Sequence, residues 1–242
     1  KSKKNVIDPE YLIEKYGADT ARMFCLFASP PEKDLDWSDL GVEGAARFLN
    51  RVWRLFYEQH RHLQNVKPLP FGALLEGGQK FLRQKTHKTI KRVTEDIERF
   101  HFNTAISAIM ELVNEIYVSE IKDNVDDISR RVLREAVETV VILLSPFVPH
   151  FAEELWEALG HRESIIKTRW PDYDPEAVLE DEVLIVIQVN GKLRDRMTIP
   201  VSYGEEEVKT WAFKSERIRK LVEGKEIKRV ILVPKKLVNI VC

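Results

Sequence analysis

Apolar residues recur at intervals of three and four positions through most of the chain, which is the spacing of one face of an α-helix. The clearest segment follows Ser38, where one long helix is predicted with a buried face formed by Ala45, Phe48, Leu49, Val52, Trp53 and Phe56. The same spacing predicts helices around Leu82–Ile97, Ala105–Ile116 and Val132–Leu144. Amphipathic helices joined in this way predict an antiparallel bundle.

Residues that favour helix ends divide this part of the chain further. Asp8, which is followed by a proline, and Asp19 are predicted to cap two short helices, and Gly17 is predicted to end the first of them. Asn103 is a predicted N-cap, and Pro149 is the predicted first residue of another short helix. These positions separate the helices of the predicted bundle.

The pattern changes after a proline-containing stretch that ends at Pro175. Val183–Val189 is largely β-branched and apolar, Asn190-Gly191 is a strong hairpin signal, and Lys192–Val201 returns as a second strand. Three more elements complete a β-β-α-β-β module, a helix over Glu205–Val222 and strands over Lys228–Val233 and Leu237–Val241. The predicted fold class is therefore mainly α, an antiparallel helix bundle followed by a small α+β domain.

Charge is distributed unevenly, although the formal net charge is only −1. From Val183 to the end, 13 lysines and arginines outnumber 7 aspartates and glutamates, whereas the preceding residues hold 25 basic and 32 acidic side chains. A basic module attached to an acidic body suggests that the tail contacts a polyanion. A solvated charged surface would show the same imbalance, so charge alone does not decide between them.

Cysteine usage and hydropathy exclude several classes of protein. The two cysteines, Cys25 and Cys242, lie at opposite ends and belong to no CxxC or Cys/His cluster, which argues against a disulfide framework or a metal site and fits the cytoplasm. No apolar run approaches the ~20 residues of a membrane span, so no membrane partner is expected. The opening Lys1-Ser2-Lys3-Lys4 has no initiating methionine, which suggests a piece of a longer protein.

Basic residues in the tail form the first candidate binding surface. Lys192, Arg194 and Arg196 alternate along a predicted strand, so all three are expected to project from one face of the sheet. Lys235 and Lys236 precede the last strand. A cationic face of this kind suits the phosphates and riboses of folded RNA, while the alternative is a solvated outer face of the sheet.

A second basic stripe is predicted on the long helix after Ser38. Arg47, Arg51 and Arg54 follow one another at helical spacing on the side opposite the apolar face. They form a weaker candidate for RNA binding, because the outward face of a bundle helix is usually charged for solubility alone.

Short stretches along the whole chain resemble the leucyl-tRNA synthetase family, which belongs to the class I aminoacyl-tRNA synthetases. Lys1-Ser2 resembles the end of the KMSKS signature, and YGADTAR at 16–22 is similar to the stretch that follows it in the leucine, isoleucine and valine enzymes. The resemblance continues in PPEKDLDWS at 30–38, GVEG at 41–44, RFLNRVWR at 47–54, FNTA at 102–105, LSPFVPHFAEELW at 144–156, VNGKLR at 189–194 and VPKKLVN at 233–239. These stretches follow the order of the family, in its bacterial type.

The resemblance implies an activity and a set of partners. Such an enzyme attaches leucine to its tRNA through a leucyl-adenylate and uses ATP with Mg²⁺, so the expected partners are leucine tRNA and the portion that carries the HIGH motif, not DNA. By resemblance, Lys1 contacts the ATP phosphates in the transition state, and Ser2 supports the loop or contacts a phosphate. Without the HIGH portion, the isolated chain is expected to be inactive.

The resemblance also implies three domains and leaves alternatives open. Residues 1–38 would end the catalytic domain, residues 39–175 would form the helical anticodon-binding-type bundle, and residues 176–242 would form a tRNA-binding domain. The tRNA-binding residues expected from the basic patterns are Lys192, Arg194, Arg196, Lys235, Lys236, Arg47, Arg51 and Arg54. The alternatives are a non-catalytic tRNA-binding or interaction subunit, or the matching part of a valine or isoleucine enzyme.

Overall fold

The computed structural model describes residues 9–35, 37–70, 73–123, 126–179, 182–201, 203–234 and 236–242. The chain divides into two compact units, a helical unit up to residue 178 and a C-terminal unit from residue 179 onward. The described helices of the helical unit are α1 (Pro9–Tyr16), α2 (Ala18–Ala28), α3 (Asp39–Leu63), α4 (Gly77–Glu98), α5 (Phe102–Val118), α6 (Asp127–Leu144) and α7 (Pro149–Ala158). No described helix is long and apolar enough to cross a membrane.

The apolar faces predicted for α3 to α6 meet in a single core. Phe56 of α3, Ile109 of α5 and Leu143 of α6 are almost completely buried there. The Ser38 hydroxyl caps α3 by accepting a hydrogen bond from the Gly41 amide at 3.1 Å. The predicted bundle and the predicted start of its longest helix are therefore confirmed.

Two of the predicted helix caps are wrong. The Asp19 carboxylate lies inside α2 and accepts a hydrogen bond from the Phe151 amide at 2.6 Å, so it caps α7 and not its own helix. The second is Asn103, since α5 already begins at Phe102 and the residue at the N-cap position, His101, makes no capping bond through its side chain. Asp8, the third predicted cap, lies outside the described residues.

Helix α2 clamps the corner between α6 and α7 through two side chains one turn apart. Besides the cap made by Asp19, the Arg22 guanidinium donates to the carbonyls of Pro146 and Phe147, both at 3.3 Å. These carbonyls follow the end of α6, where helical partners run out. Two stretches that carry the family resemblance, 16–22 and 144–156, are therefore joined in space.

A buried arginine joins the ends of two other helices. Arg134 of α6 donates through Nη1 to the carbonyl of Leu63, which ends α3, at 2.8 Å and to that of Leu159, which follows α7, at 3.1 Å. Its Nη2 donates to the Glu138 carboxylate, which also bonds to His161 Nε2 at 2.6 Å. A guanidinium is well matched to these sites because helix C-termini carry a partial negative charge.

The stretch predicted to link the two domains is fastened to α4. Trp170 Nε1 donates to the Thr94 hydroxyl at 2.8 Å, and Arg83 Nη2 donates to the Asp174 carboxylate at 3.0 Å. The Asp174 amide donates to Nδ1 of the buried His87 at 3.1 Å. These bonds hold the stretch against the helical unit.

The C-terminal unit is a four-stranded sheet covered on one face by two helices. Its elements are β1 (Glu182–Val189), β2 (Lys192–Pro200), α8 (Glu205–Lys214), α9 (Glu216–Val222), β3 (Arg229–Val233) and β4 (Leu237–Val241). The strand order is β2-β1-β4-β3, with β1 and β4 parallel and the other neighbours antiparallel. Ile187 and Val238 of the sheet pack with Val208 and Ile218 of the helices in a separate core.

The single helix predicted over Glu205–Val222 is two helices that meet at Ser215. The backbone of Ser215 is extended, and its hydroxyl both caps α9 through the Ile218 amide and donates to the Asp195 carboxylate. A serine that bonds in this way favours a helix start over a helix interior. Asp195, which lies on β2 outside the two helices, accepts a hydrogen bond from the residue at which the helices meet.

Candidate nucleic-acid interface

The hairpin between β1 and β2 positions the basic residues of the tail. Asn190 and Gly191 both have positive φ, 51° and 76°, as a two-residue hairpin turn of the predicted kind requires. The Asn190 side chain accepts from the Cys242 amide, and the Gly191 amide donates to the Asn239 side chain, both at 3.0 Å. The turn is thus fixed to the neighbouring strand β4.

The prediction that Lys192, Arg194 and Arg196 share one sheet face is wrong. The register shifts between Ile187 and Gln188, so Asp195 pairs with Ile187 while Leu193 pairs with Gln188, and Arg194 is the extra residue of a β-bulge. Lys192 then pairs with Val189, on the face that the helices cover, whereas Arg196 pairs with Val186 on the opposite face. All three basic side chains are exposed, but the bulge divides them between two directions.

The sheet face opposite the helices is aliphatic, with basic residues towards its edges. Leu184, Leu193, Ile231 and Val233 lie on it with exposures of 37–54%. Arg196 on β2 and Arg229 on β3 stand on the two edge strands of the same face. Sequence reasoning missed this surface, although the alternation of residues in β1 and β3 is the signal that reveals it.

The remaining predicted site residues are placed only in part. Lys236 is exposed in the turn between β3 and β4, where its carbonyl accepts from the Val186 amide at 3.0 Å. Lys1, Ser2 and Lys235 lie outside the described residues.

The arginine stripe on α3 is exposed as predicted, but its members differ in their contacts. Arg51 donates to the Asn114 side chain at 2.5 Å and lies over the Tyr117 ring at 4.4 Å, so it joins α3 to α5. Arg47 makes only a loose pair with Glu43 at 3.7 Å. Arg54 forms no ion pair with any described residue, so Arg47 and Arg54 are the members best able to bind an anion.

Two exposed aromatic side chains lie beside this stripe, and one of them was predicted to lie in the core. Trp53 is 36% exposed and Tyr57, one turn further along α3, is 39% exposed. At 100° per residue, Trp53 lies at the edge of the apolar face and Tyr57 lies between it and the arginines. The predicted burial of Trp53 is therefore wrong. Spacing of three and four residues identifies the apolar face of a helix but does not show which residues lie at its centre and which at its edge.

Asp195 is the group with the clearest electrostatic signature in the C-terminal unit. The hydrogen bond from Ser215, reinforced by the Arg196 amide and the nearby Arg217, holds the pKa of the Asp195 carboxyl below its ordinary value. A depressed pKa means that the charged form stabilises the fold, with the contribution complete above about pH 4 and lost as the pH falls through the lowered pKa.

Asp195→Asn is expected to destabilise the C-terminal unit at pH 7, and the difference from the parent chain should shrink below about pH 4 as the native carboxylate becomes protonated. Denaturant unfolding, followed through the NMR amide signals of residues 182–242, measures the difference in unfolding free energy between the variant and the parent chain at pH 7 and at pH 3. If this difference in unfolding free energy is the same at the two pH values, the charge of Asp195 does not stabilise the fold.

The described residues contain no group of three His, Cys, Asp or Glu side chains arranged to hold a metal ion. The surfaces that stand out are the bulged strand with the aliphatic sheet face, and the aromatic and basic face of α3. Both are open surfaces, which suits a large partner better than a small ligand.

Comparison with known proteins identifies a family. Residues 79–209, more than half of the chain, match the family described as the anticodon-binding domain of tRNA ligase. Leucine–tRNA ligase of Geotalea daltonii is 56% identical over 242 residues, which cover 100% of this chain and 29% of that protein. The corresponding enzyme of Syntrophus aciditrophicus is 52% identical over 243 residues, 100% of this chain and 28% of the relative.

Solved structures agree with this assignment. The LeuRS of Agrobacterium radiobacter K84, in a ternary complex with tRNA and LeuAMS, is 31% identical with a TM-score of 0.86, covering 100% of this chain and 31% of that chain. Apo methionyl-tRNA synthetase of Mycobacterium tuberculosis, at 20% identity and a TM-score of 0.50 over 69% of this chain and 38% of its own, shares the fold alone. The chain therefore belongs to the anticodon-binding-domain family of tRNA ligases, in the form found in the C-terminal region of leucyl-tRNA synthetases.

Proposed function

We propose that this chain is the tRNA-binding part of a leucine–tRNA ligase, an enzyme that joins leucine to its tRNA through a leucyl-adenylate formed from ATP with Mg²⁺. The observation that carries the proposal is the match of the whole chain to 29% of a leucine–tRNA ligase at 56% identity. The chain spans less than a third of such relatives, so the reaction also needs a portion that carries the HIGH motif. We place the complete enzyme in the cytoplasm.

The three parts of the chain would have different roles. Residues 1–38 would end the catalytic domain, with Lys1 on the ATP phosphates and Ser2 supporting its loop. Residues 39–175 and 176–242 would bind the tRNA. Adenylate formation depends mainly on positioning and charge stabilisation at the phosphates, so the isolated chain should not catalyse leucine-dependent ATP–pyrophosphate exchange.

The C-terminal unit is the main candidate for the tRNA surface. Its basic balance, the exposed Arg194 and Arg196, and the exposed Lys236, which follows Lys235 in the sequence, all suit an RNA backbone. Arg47, Arg51 and Arg54 on α3 form the second surface. Lys192 is directed away from Arg196 by the bulge, so it would contact a different part of the RNA.

Replacing Arg194 and Arg196 with alanine in the complete enzyme should weaken the binding of leucine tRNA and leave leucine activation nearly intact. Each lost phosphate contact should flatten the slope of log K against log salt concentration by about 0.7–0.9. Binding titrations at several salt concentrations, combined with ATP–pyrophosphate exchange, measure both effects. Deletion of residues 183–242 should produce the same pattern with a larger loss of affinity.

The matched control removes two charges from the helix side of the same unit. Arg217 and Lys220 of α9 are exposed, so their replacement by alanine changes the net charge equally. If strand β2 is only solvated, both double variants should bind leucine tRNA with the same affinity and the same salt slope. An unchanged salt slope for the Arg194 and Arg196 variant would move the RNA surface away from β2.

A further inference from the structure

We infer that Trp53 and Tyr57 on α3 form a stacking platform for an unpaired nucleobase of the bound tRNA. This inference rests on the proposed function and adds a subsite to it. It concerns aromatic side chains that neither the charge pattern nor the family resemblance assigned to RNA.

The platform is an aromatic cluster that is open to solvent on the outer side of α3. The Trp53 ring centroid lies 4.6 Å from that of Tyr57 and 5.8 Å from that of Phe151 at the start of α7. These contacts fix the rings while leaving Trp53 and Tyr57 more than a third exposed. A rigid, exposed aromatic pair offers contact area at little cost in conformational entropy.

The surroundings of the platform favour a nucleotide over an apolar partner. An open groove of about 770 Å³ is lined by Arg47, Asn50, Arg51, Trp53, Arg54 and Tyr57. Glu58 adds one carboxylate to the lining, so the arginines still leave it cationic. Phosphates would lie over Arg47 and Arg54, the base would stack on the rings, and the Asn50 amide is placed to meet a base edge.

A second groove extends the surface beyond Trp53. It reaches Lys15 at the end of α1 and His150 at the start of α7, and it shares Asn50 and Trp53 with the first groove. Trp53 therefore stands where the two grooves join, with the arginines of α3 on one side and Lys15 on the other, while His150 is bonded to the Asp19 carboxylate at 3.1 Å. A strand of RNA crossing α3 would pass over the rings at this point, which is the arrangement that single-strand binding sites use.

Trp53→Ala in the complete enzyme should weaken the binding of leucine tRNA about five- to a hundredfold, as expected for the loss of one base–aromatic stack. The salt slope of binding should stay unchanged, because stacking releases no counterions. Trp53→Phe, which keeps a ring, should restore most of the affinity. Phe81→Ala, which removes an aromatic side chain exposed to 54% on α4, should have no effect.

Three further readouts separate this inference from its rivals. Equal affinity of the parent and Trp53→Ala enzymes would overturn it while leaving the proposed function in place, whereas failure of the parent enzyme to bind leucine tRNA would overturn both. A matching fall in leucine activation without tRNA would show that the platform docks another part of the protein. A similar loss in Trp53→Ala and Trp53→Phe, with a lowered melting temperature in both, would reduce Trp53 to a packing role.

Discussion

Arg134→Met is expected to lower the free energy of unfolding of the helical unit by about 3–5 kcal/mol, the usual cost of breaking a buried ion pair by removing one partner. The Arg134 side chain is only 10% exposed and bonds to Leu63, Leu159 and Glu138. Methionine fills a similar volume but removes the donor from two carbonyls and leaves the Glu138 carboxylate with His161 Nε2 as its partner. Denaturant unfolding followed by helical circular dichroism measures the loss.

The control for this prediction is Arg92→Met on α4. Arg92 is 47% exposed and makes two long pairs, with Glu111 at 3.5 Å and Asp96 at 3.8 Å, so its loss should cost no more than about 1 kcal/mol. Adding Glu138→Gln to Arg134→Met should recover part of the loss, because the uncompensated charge disappears. An Arg134 variant as stable as the Arg92 variant would show that the buried guanidinium does not hold the helix ends together.

Lys1→Ala in the complete enzyme is expected to slow leucyl-adenylate formation on the order of a hundredfold, equivalent to about 3 kcal/mol for one charge-stabilising contact in the transition state. The expectation follows from the resemblance of Lys1-Ser2 to the end of the KMSKS signature. ATP–pyrophosphate exchange measures the rate, and tRNA affinity should change much less.

Lys4→Ala removes the same charge three residues further along the chain and serves as the matched control. If Lys1 acts on the phosphates, the two variants should differ strongly in exchange rate. Equally slowed rates would mean that the total positive charge of this segment matters and not Lys1 in particular. A normal rate for Lys1→Ala would remove Lys1 from the mechanism.

Elements that are determined by residues close together in the sequence were predictable. Helix α3 begins where Ser38 caps it, and its buried side follows the apolar spacing because periodicity alone decides which face meets the core. The hairpin at Asn190-Gly191 was equally predictable, since few residue pairs adopt positive φ at both positions. Both predictions needed only neighbouring residues.

Features that depend on distant partners could not be predicted. The Ser215 hydroxyl, at the break between α8 and α9, bonds to Asp195 of the sheet, and the cap supplied by Asp19 acts on a helix more than a hundred residues later. The bulge at Arg194 appears only when the pairing of β2 with β1 is known. For this reason Lys192, Arg194 and Arg196 are exposed but do not share the single sheet face that was predicted for them.

The clamp formed by Asp19 and Arg22 limits how this region can be exchanged between related ligases. A helix bundle excised at Ser38 would keep the cap of α3 yet leave behind the groups that complete the corner near Phe147 and Phe151. A recombinant that joins α2 of one parent to α7 of another must therefore keep this carboxylate and this guanidinium in register. Because the amide and carbonyls that they bind belong to the backbone, crossovers inside the helical unit should survive selection when both parents carry Asp19 and Arg22.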